Sequence, residues 1–130
     1  MLFNTGISDS GLVYLQGLKN LKELSLSGTG ITDTGLAYLS NLTNLEALGL
    51  SSTKINDAGL VYLQGLKNLN TLSLGYTGIT DAGLVYLQEF KGLRSLGLGL
   101  GLSYVLKRPT RLSRKGVEKL QYALPNCKIW

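Results

Sequence analysis

Histidine is absent from this 130-residue chain, and cysteine occurs once, at Cys127. Histidine is the commonest general base and the commonest metal ligand in proteins. Without it, Cys127 has no imidazole partner for nucleophilic catalysis, and we interpret it as a buried structural thiol. A lone cysteine cannot form an internal disulfide, which favours a reducing compartment. We therefore expect no enzymatic activity, no metal and no other cofactor.

Long apolar runs are also absent. No window of about 18 uncharged apolar residues occurs in the sequence, so we predict no membrane-spanning segment and no membrane partner. The first ten residues lack a basic stretch followed by an apolar one, and we predict no signal peptide. Together with the single cysteine, this slightly favours a cytoplasmic location.

Positive charge is scarce until the last quarter of the chain. Residues 1–99 contain six Lys or Arg against seven Asp or Glu, whereas residues 100–130 contain seven against one. We define the basic segment as Lys107, Arg108, Arg111, Arg114, Lys115 and Lys119. Such a cluster can contact phosphates or an acidic protein. No nucleic-acid-binding motif accompanies it, so a solvated terminal surface is the favoured interpretation and nucleic-acid or acidic-partner binding is the alternative.

What the sequence does contain is a repeat of 24 residues. The eleven residues from Gly11 to Leu21 recur unchanged from Gly59 to Leu69. Leucines, threonines, isoleucines, aspartates and glycines recur in the same columns. The aspartate column, for example, comprises Asp9, Asp33, Asp57 and Asp81. Self-similarity of this period predicts a solenoid of stacked units.

Each unit contains two hydrophobic rhythms. The alternating Leu48 and Leu50 predict a short strand with one buried face, and Leu60, Leu63 and Leu66, spaced by three, predict a short helix. About seven buried apolar side chains per unit contribute on the order of 10–20 kcal/mol. Ordering 24 residues costs at least about as much, so neighbouring units must cover one another. The strands then form a parallel sheet on one side, with the helices on the other.

The pattern Leu21-x-x-Leu24-x-Leu26-x-x-Thr29-x-Ile31 resembles the leucine-rich-repeat consensus. Its continuation resembles a subclass common in bacterial and cysteine-containing repeats. The resemblance implies one α/β domain over residues 1–130, a right-handed superhelix of about five units with a concave parallel sheet and short convex helices. It also implies a non-catalytic module that binds a protein partner.

Irregularities stand at the two ends of the repeat. The first unit, residues 1–20, has no capping segment, so Leu2 and Phe3 could self-associate in a homodimer or meet further repeats upstream. A self-assembling structural unit is thus an alternative function. A loop insertion of nine residues is expected within about 99–109, followed by a C-terminal cap over 110–130 in which Ile129 and Trp130 cover the last leucines.

The concave strand positions are where this family usually binds. Strand alternation assigns them to small residues, with only Tyr76 and Arg94 as large side chains nearby. Either a flat partner lies very close to the backbone or this face is not the main binding site, and the small residues count against a tight concave binder of the usual kind. The candidate partner-binding residues are Glu23, Ser25, Ser27, Ser51, Thr71, Ser73, Tyr76 and Arg94.

Three repeated columns have structural interpretations. We expect the aspartates to cap their own helices rather than bind calcium, and the threonine hydroxyls to bond the backbone of neighbouring turns. The tyrosines Tyr14, Tyr38, Tyr62 and Tyr86 are expected to pack laterally between the helices, with an exposed binding stripe as the alternative.

Overall fold

The computed structural model describes residues 5–101 and 111–130. Five short strands form one parallel sheet in the order β1-β2-β3-β4-β5. They are β1 (Glu23–Ser25), β2 (Ala47–Gly49), β3 (Thr71–Ser73), β4 (Ser95–Gly97) and β5 (Lys128–Ile129). The central leucines of β1 to β4 are in direct register, and Leu96 pairs with Ile129. The predicted α/β solenoid with a parallel sheet is thereby confirmed.

A helical segment precedes each strand. The segments Asp9–Leu15 and Asp57–Leu63 are 3-10 helices, Asp33–Leu36 is an α-helix continued by a 3-10 turn at Ala37–Leu39, and Asp81–Leu87 and Arg114–Ala123 are α-helices. The 3-10 geometry was not predicted, although leucines spaced by three match its three residues per turn. Each helical segment with its following strand forms one coil, and the coils are numbered 1 to 5.

The core runs through all the coils as stacked leucines. Leu48, Leu60, Leu72 and Leu96 are essentially inaccessible to solvent. Among the described residues, no buried side-chain nitrogen or oxygen lacks a hydrogen-bond partner. Cys127 is buried as expected, and burial raises the pKa of its thiol.

The aspartate column does not cap its own helices, so that prediction is wrong. Asp57 instead accepts two hydrogen bonds from Thr80 in the next coil, one from the backbone nitrogen at 2.8 Å and one from the hydroxyl. Asp9 bonds Thr32 in the same way, and Asp33 accepts from the backbone nitrogen of Asn56 at 2.7 Å. The carboxylate stands in the first helical turn rather than before it, so it reaches sideways and ties adjacent coils together.

The threonine column was also interpreted wrongly. Thr29, Thr53 and Thr77 donate to the carbonyl oxygens of the leucines three residues earlier in the same coil, at 2.5–2.7 Å. Each hydroxyl therefore closes the turn after its own strand and does not link neighbouring coils.

The described C-terminal end of the solenoid consists of a helix and the last strand of the sheet. The helix Arg114–Ala123 is capped by Ser113, whose hydroxyl accepts a hydrogen bond from the Gly116 nitrogen at 2.9 Å. Ile129 packs against the core as predicted, but Trp130 does not cover the last leucines. Of the expected insertion at 99–109, residues 102–109 lie outside the described residues.

Candidate functional site on the concave face

The outward side chains of the sheet form two rows across the concave face. The strand register puts Glu23, Ala47, Thr71, Ser95 and Lys128 in the first row. It puts Ser25, Gly49, Ser73 and Gly97 in the second row. Although the side chains of the second row are small, they are closely packed, because a Cβ atom on Gly49 would lie 3.0 Å from the Ser25 hydroxyl oxygen. The predicted site residues of β1 and β3 therefore share one continuous surface.

Trp130 completes the second row at the C-terminal edge of the sheet. Its indole nitrogen donates to the Ser95 hydroxyl at 3.1 Å, and its ring lies 3.1 Å from where a Cβ atom on Gly97 would stand. About half of the side chain remains exposed. Trp130 gives the small-residue face the large aromatic group that sequence analysis did not assign to it. Strand alternation from Lys128 could have placed it there.

Tyr76 lies just after β3 in a left-handed backbone conformation, with φ of +59°. Gly28 occupies the same repeat position with φ of +73°, and glycine adopts this conformation without penalty. A non-glycine residue there costs roughly 1–2 kcal/mol. Ser52 holds the same conformation at the same repeat position, with φ of +57°, so the strain is a property of this turn. Tyr76 is partly exposed and its ring lies near Gly99, beside the concave face.

A hollow of about 370 Å³ opens at the coil 1 end of the same face. It is lined by Glu23, Ser25, Thr71 and Ser73 together with leucines such as Leu18. Leu18 is half exposed, so this end combines polar strand residues with accessible apolar surface.

Charge differs between the two ends of the sheet. Lys22 and Glu46 form an ion pair of 3.0 Å near Glu23, which leaves the coil 1 end with a negative balance. At the other end Arg94 and Lys128 are exposed, and Lys128 joins the sheet by donating its backbone nitrogen to the Arg94 carbonyl at 2.8 Å. The concave face thus carries the carboxylate of Glu23 at one end and the positive charges of Arg94 and Lys128 at the other.

The remaining predicted concave residues lie at the rim. The backbone nitrogen of Ser51 donates to the Ser27 hydroxyl at 3.2 Å, so these two serines support the turn that follows the strands. Leu2 and Phe3, predicted for self-association, lie outside the described residues.

The basic segment is separate from the concave face. Arg111, Arg114, Lys115 and Lys119 are exposed on or just before the C-terminal helix, and Lys107 and Arg108 lie outside the described residues. Arg114 pairs with Glu118 at 3.1 Å one helical turn away. The structure does not test whether this segment binds a partner.

Within residues 5–101 and 111–130, no helix is long and apolar enough to cross a membrane. The same residues contain no group of three or more potential metal ligands.

Comparisons with known proteins agree with this architecture. A family model for two leucine-rich repeats matches residues 19–62, and a second leucine-rich-repeat model matches residues 65–87. No curated protein sequence matches the chain.

Several solved structures are similar. An internalin C2 from Listeria monocytogenes shares 23% identity with a TM-score of 0.59, over 98% of this chain and 67% of that one. An internalin inlF from the same species shares 20% identity with a TM-score of 0.51, over 97% and 44%. A leucine-rich-repeat protein from Leptospira interrogans shares 22% identity with a TM-score of 0.52, over 91% and 39%. At these identities the similarity establishes the fold, and the chain spans only part of each relative.

Proposed function

Because the chain belongs to the leucine-rich-repeat family, we propose that it is a non-catalytic protein-interaction module that holds its partner on the concave face. The observation that carries the proposal is the row of small residues ending in the half-exposed Trp130. Small side chains let a partner approach the sheet closely, and tryptophan is among the residue types enriched at binding hot spots.

The partner chemistry follows from the same surface. A protein segment lying across the strands would meet Glu23 at one end and Arg94 with Lys128 at the other. We expect a segment with a basic residue near Glu23, an acidic residue near Arg94 and Lys128, and an apolar side chain against Trp130. Serine and threonine hydroxyls between these ends can bond to the segment's polar groups.

The test uses the chain as bait with two matched variants. Ser73→Arg puts a long side chain in the middle of the concave face, whereas Thr43→Lys changes an exposed position outside it, where coils 1, 3 and 4 already carry lysine. We expect a protein captured by the wild type and by Thr43→Lys to be lost with Ser73→Arg, with circular dichroism confirming that both variants fold.

A second measurement locates the contact. Trp130 is the only tryptophan, so its fluorescence reports directly on the concave face. Binding of the purified partner should shift its emission, and Trp130→Ala should weaken affinity by about 30-fold or more, as expected for a hot-spot aromatic. Capture unaffected by Ser73→Arg, or binding without any change in emission, would refute the concave site.

A further inference from the structure

Coil 1 exposes apolar side chains that the other coils bury. Leu18 is 48% exposed, whereas Leu42 and Leu66, at the same repeat position in coils 2 and 3, are fully buried. Tyr14 is 84% exposed, against 40% for Tyr62 in coil 3. In coils 2 and 3 the preceding coil helps to cover these positions. The coil 1 end of the solenoid is therefore shaped to take another coil.

The outer edge of β1 carries backbone donors that the inner strands use for pairing. Glu46 and Ala47 at the start of β2 both donate to the Lys22 carbonyl of the preceding coil, at 2.7 and 3.0 Å, and coils 3 and 4 repeat this contact. The equivalent nitrogens of coil 1 are those of Lys22 and Glu23, and neither makes a hydrogen bond within the described residues. Such an edge is a template for a further strand.

The coil 5 end offers the other half of this contact. Its strand β5 is parallel to β1 and forms the opposite edge of the same sheet. Leu112, Val117 and Ile129 are only partly buried against the core. The Cys127 carbonyl, which precedes β5 as the Lys22 carbonyl precedes β1, accepts one hydrogen bond from the Gln121 side chain at 2.9 Å. A carbonyl oxygen has two lone pairs and can accept a second bond.

We propose that copies of this chain assemble head to tail, with β5 of one copy pairing in parallel with β1 of the next, in the register that the strands have within the chain. Coil 5 of one copy then stands directly before coil 1 of the next. A contact between two different surfaces of the same chain produces an open series of copies rather than a closed dimer.

The strand register brings opposite charges together at this junction. Glu23 and Lys128 both belong to the first row of the concave face, at its two ends. In the assembly Lys128 of one copy would lie beside Glu23 of the next, at the strand spacing of about 4.8 Å. Opposite charges at this distance favour the pairing and fix its register.

The helices add a second pair of opposite charges. Arg114 follows Ser113, whose backbone nitrogen donates to Asp81 at 2.8 Å, so Arg114 stands at the helix position that aspartate holds in coils 1 to 4. It would lie beside Asp9 of the next copy. Among the described residues this register sets no two like charges side by side. The other charged residues of the coil 5 helix, Lys115, Glu118 and Lys119, would meet the uncharged Ser10, Val13 and Tyr14.

The apolar positions match in the same register. The pairs that it brings together are Leu112 with Ile7, Val117 with Leu12, and Ile129 with Leu24. Trp130 of one copy would lie in the row of Ser25 of the next, at the hollow of about 370 Å³. Two coil 1 ends facing each other would instead set hollow against hollow and leave a cavity, which is unfavourable. The head-to-tail contact is therefore the one that the surfaces favour.

The first test measures mass against concentration by sedimentation velocity. The mass of the wild type should rise between about 10 and 500 µM and continue beyond that of a dimer. Leu18→Lys puts a charge on the apolar coil 1 end and should weaken association about 10-fold or more. The control Thr43→Lys has the same charge change away from both ends and should associate like the wild type. A wild type that stays monomeric at 500 µM overturns the proposal.

A charge exchange tests the register. Glu23→Lys and Lys128→Glu should each associate about 10-fold or more weakly than the wild type, because each sets like charges against each other at the junction. Mixing the two variants should restore association, since each copy then meets the opposite charge on the other variant. The chain that carries both substitutions should associate by itself for the same reason. Single variants that stay weak when mixed would contradict the Glu23–Lys128 pairing.

Two further outcomes assign the contact elsewhere. If Lys128→Glu associates like the wild type while Leu18→Lys does not associate, two coil 1 ends meet each other and the head-to-tail arrangement is wrong. If association is the same with Leu18→Lys as with the wild type, the coil 1 end is not involved. The inference does not depend on the proposed function, since Ser73→Arg lies in coil 3, away from both ends, and should leave self-association unchanged.

Discussion

Replacing Gly83 with alanine should destabilise this protein, and the same replacement should become neutral or stabilising once Asp57 is removed. Gly83 lies in the helix Asp81–Leu87, beside the carboxylate that reaches over from coil 3. A Cβ atom at position 83 would stand 2.2 Å from the Asp57 Oδ1 atom. The carboxylate cannot simply swing aside, because both its oxygens accept hydrogen bonds from Thr80.

The magnitude follows from two opposing terms. Alanine is favoured over glycine in a helix by about 0.5–1 kcal/mol. Overpacking a fixed contact costs about 1–3 kcal/mol, so Gly83→Ala alone should lose about 1–2 kcal/mol. In an Asp57→Ala background the carboxylate is gone, and the nearest other atom is the Cγ2 methyl group of Ile79 at 3.2 Å, which must give way by a few tenths of an ångström. In that background the higher helix propensity of alanine should make Gly83→Ala neutral or stabilising.

The assay is a double-mutant cycle by urea unfolding of the wild type, both single variants and the double variant. We expect a coupling of about 2 kcal/mol between the two positions. Asp57→Ala alone should lose about 1–3 kcal/mol, because it leaves Thr80 without its charged acceptor. If Gly83→Ala costs the same in both backgrounds within about 0.5 kcal/mol, the reasoning is refuted.

Two further predictions concern single positions. The pKa of Asp81 lies below its ordinary value because the carboxylate accepts hydrogen bonds from Ser113, mainly from its side chain and secondly from its backbone. The stability that this carboxylate contributes is therefore present above about pH 4 and is lost as the pH falls through the lowered pKa. Ser113→Ala should raise the Asp81 pKa in a carboxyl NMR titration, and an unchanged midpoint would contradict the assignment. Ser52, with φ of +57°, occupies the repeat position of Gly28, so Ser52→Gly should stabilise by about 0.5–1 kcal/mol in urea unfolding. A loss of stability in Ser52→Gly, or a gain in the reverse change Gly28→Ser, would contradict it.

The fold was predictable because burial is repeated in every unit. Leucines 24 residues apart could only be covered by stacking, and the register from Leu24 to Leu96 is the one that the period implies. The hydrogen-bonding side chains were not predictable to the same extent. An aspartate before a helical pattern can cap its own helix or reach the next coil, and the sequence spacing does not distinguish the two. The glycine two residues after each aspartate was the available signal, because it leaves room for the carboxylate of the preceding coil.

The candidate site was predictable only in part, for a related reason. Periodicity assigned Glu23, Ser25, Thr71 and Ser73 to one face, and the structure brings them together around one hollow. Trp130 was missed because we expected it to cover the last leucines together with Ile129, whereas alternation along the strand puts it on the opposite face, in the row of Gly97. Nothing in the local sequence indicates that its ring lies over a glycine of the preceding strand.

The residues that link the coils and the residues of the concave face differ in how freely they can vary, and this determines where partner specificity can lie. Residues that repeat in every coil are constrained by stacking, as with the aspartate and the glycine that makes room for it, so they cannot vary freely to suit one partner. Tyr76 and Trp130 occur in one coil each, and both lie at the concave face, the first at a cost in backbone strain and the second at the cost of leaving a tryptophan half exposed. The departures from the repeat are therefore where the recognition of a particular partner is expected.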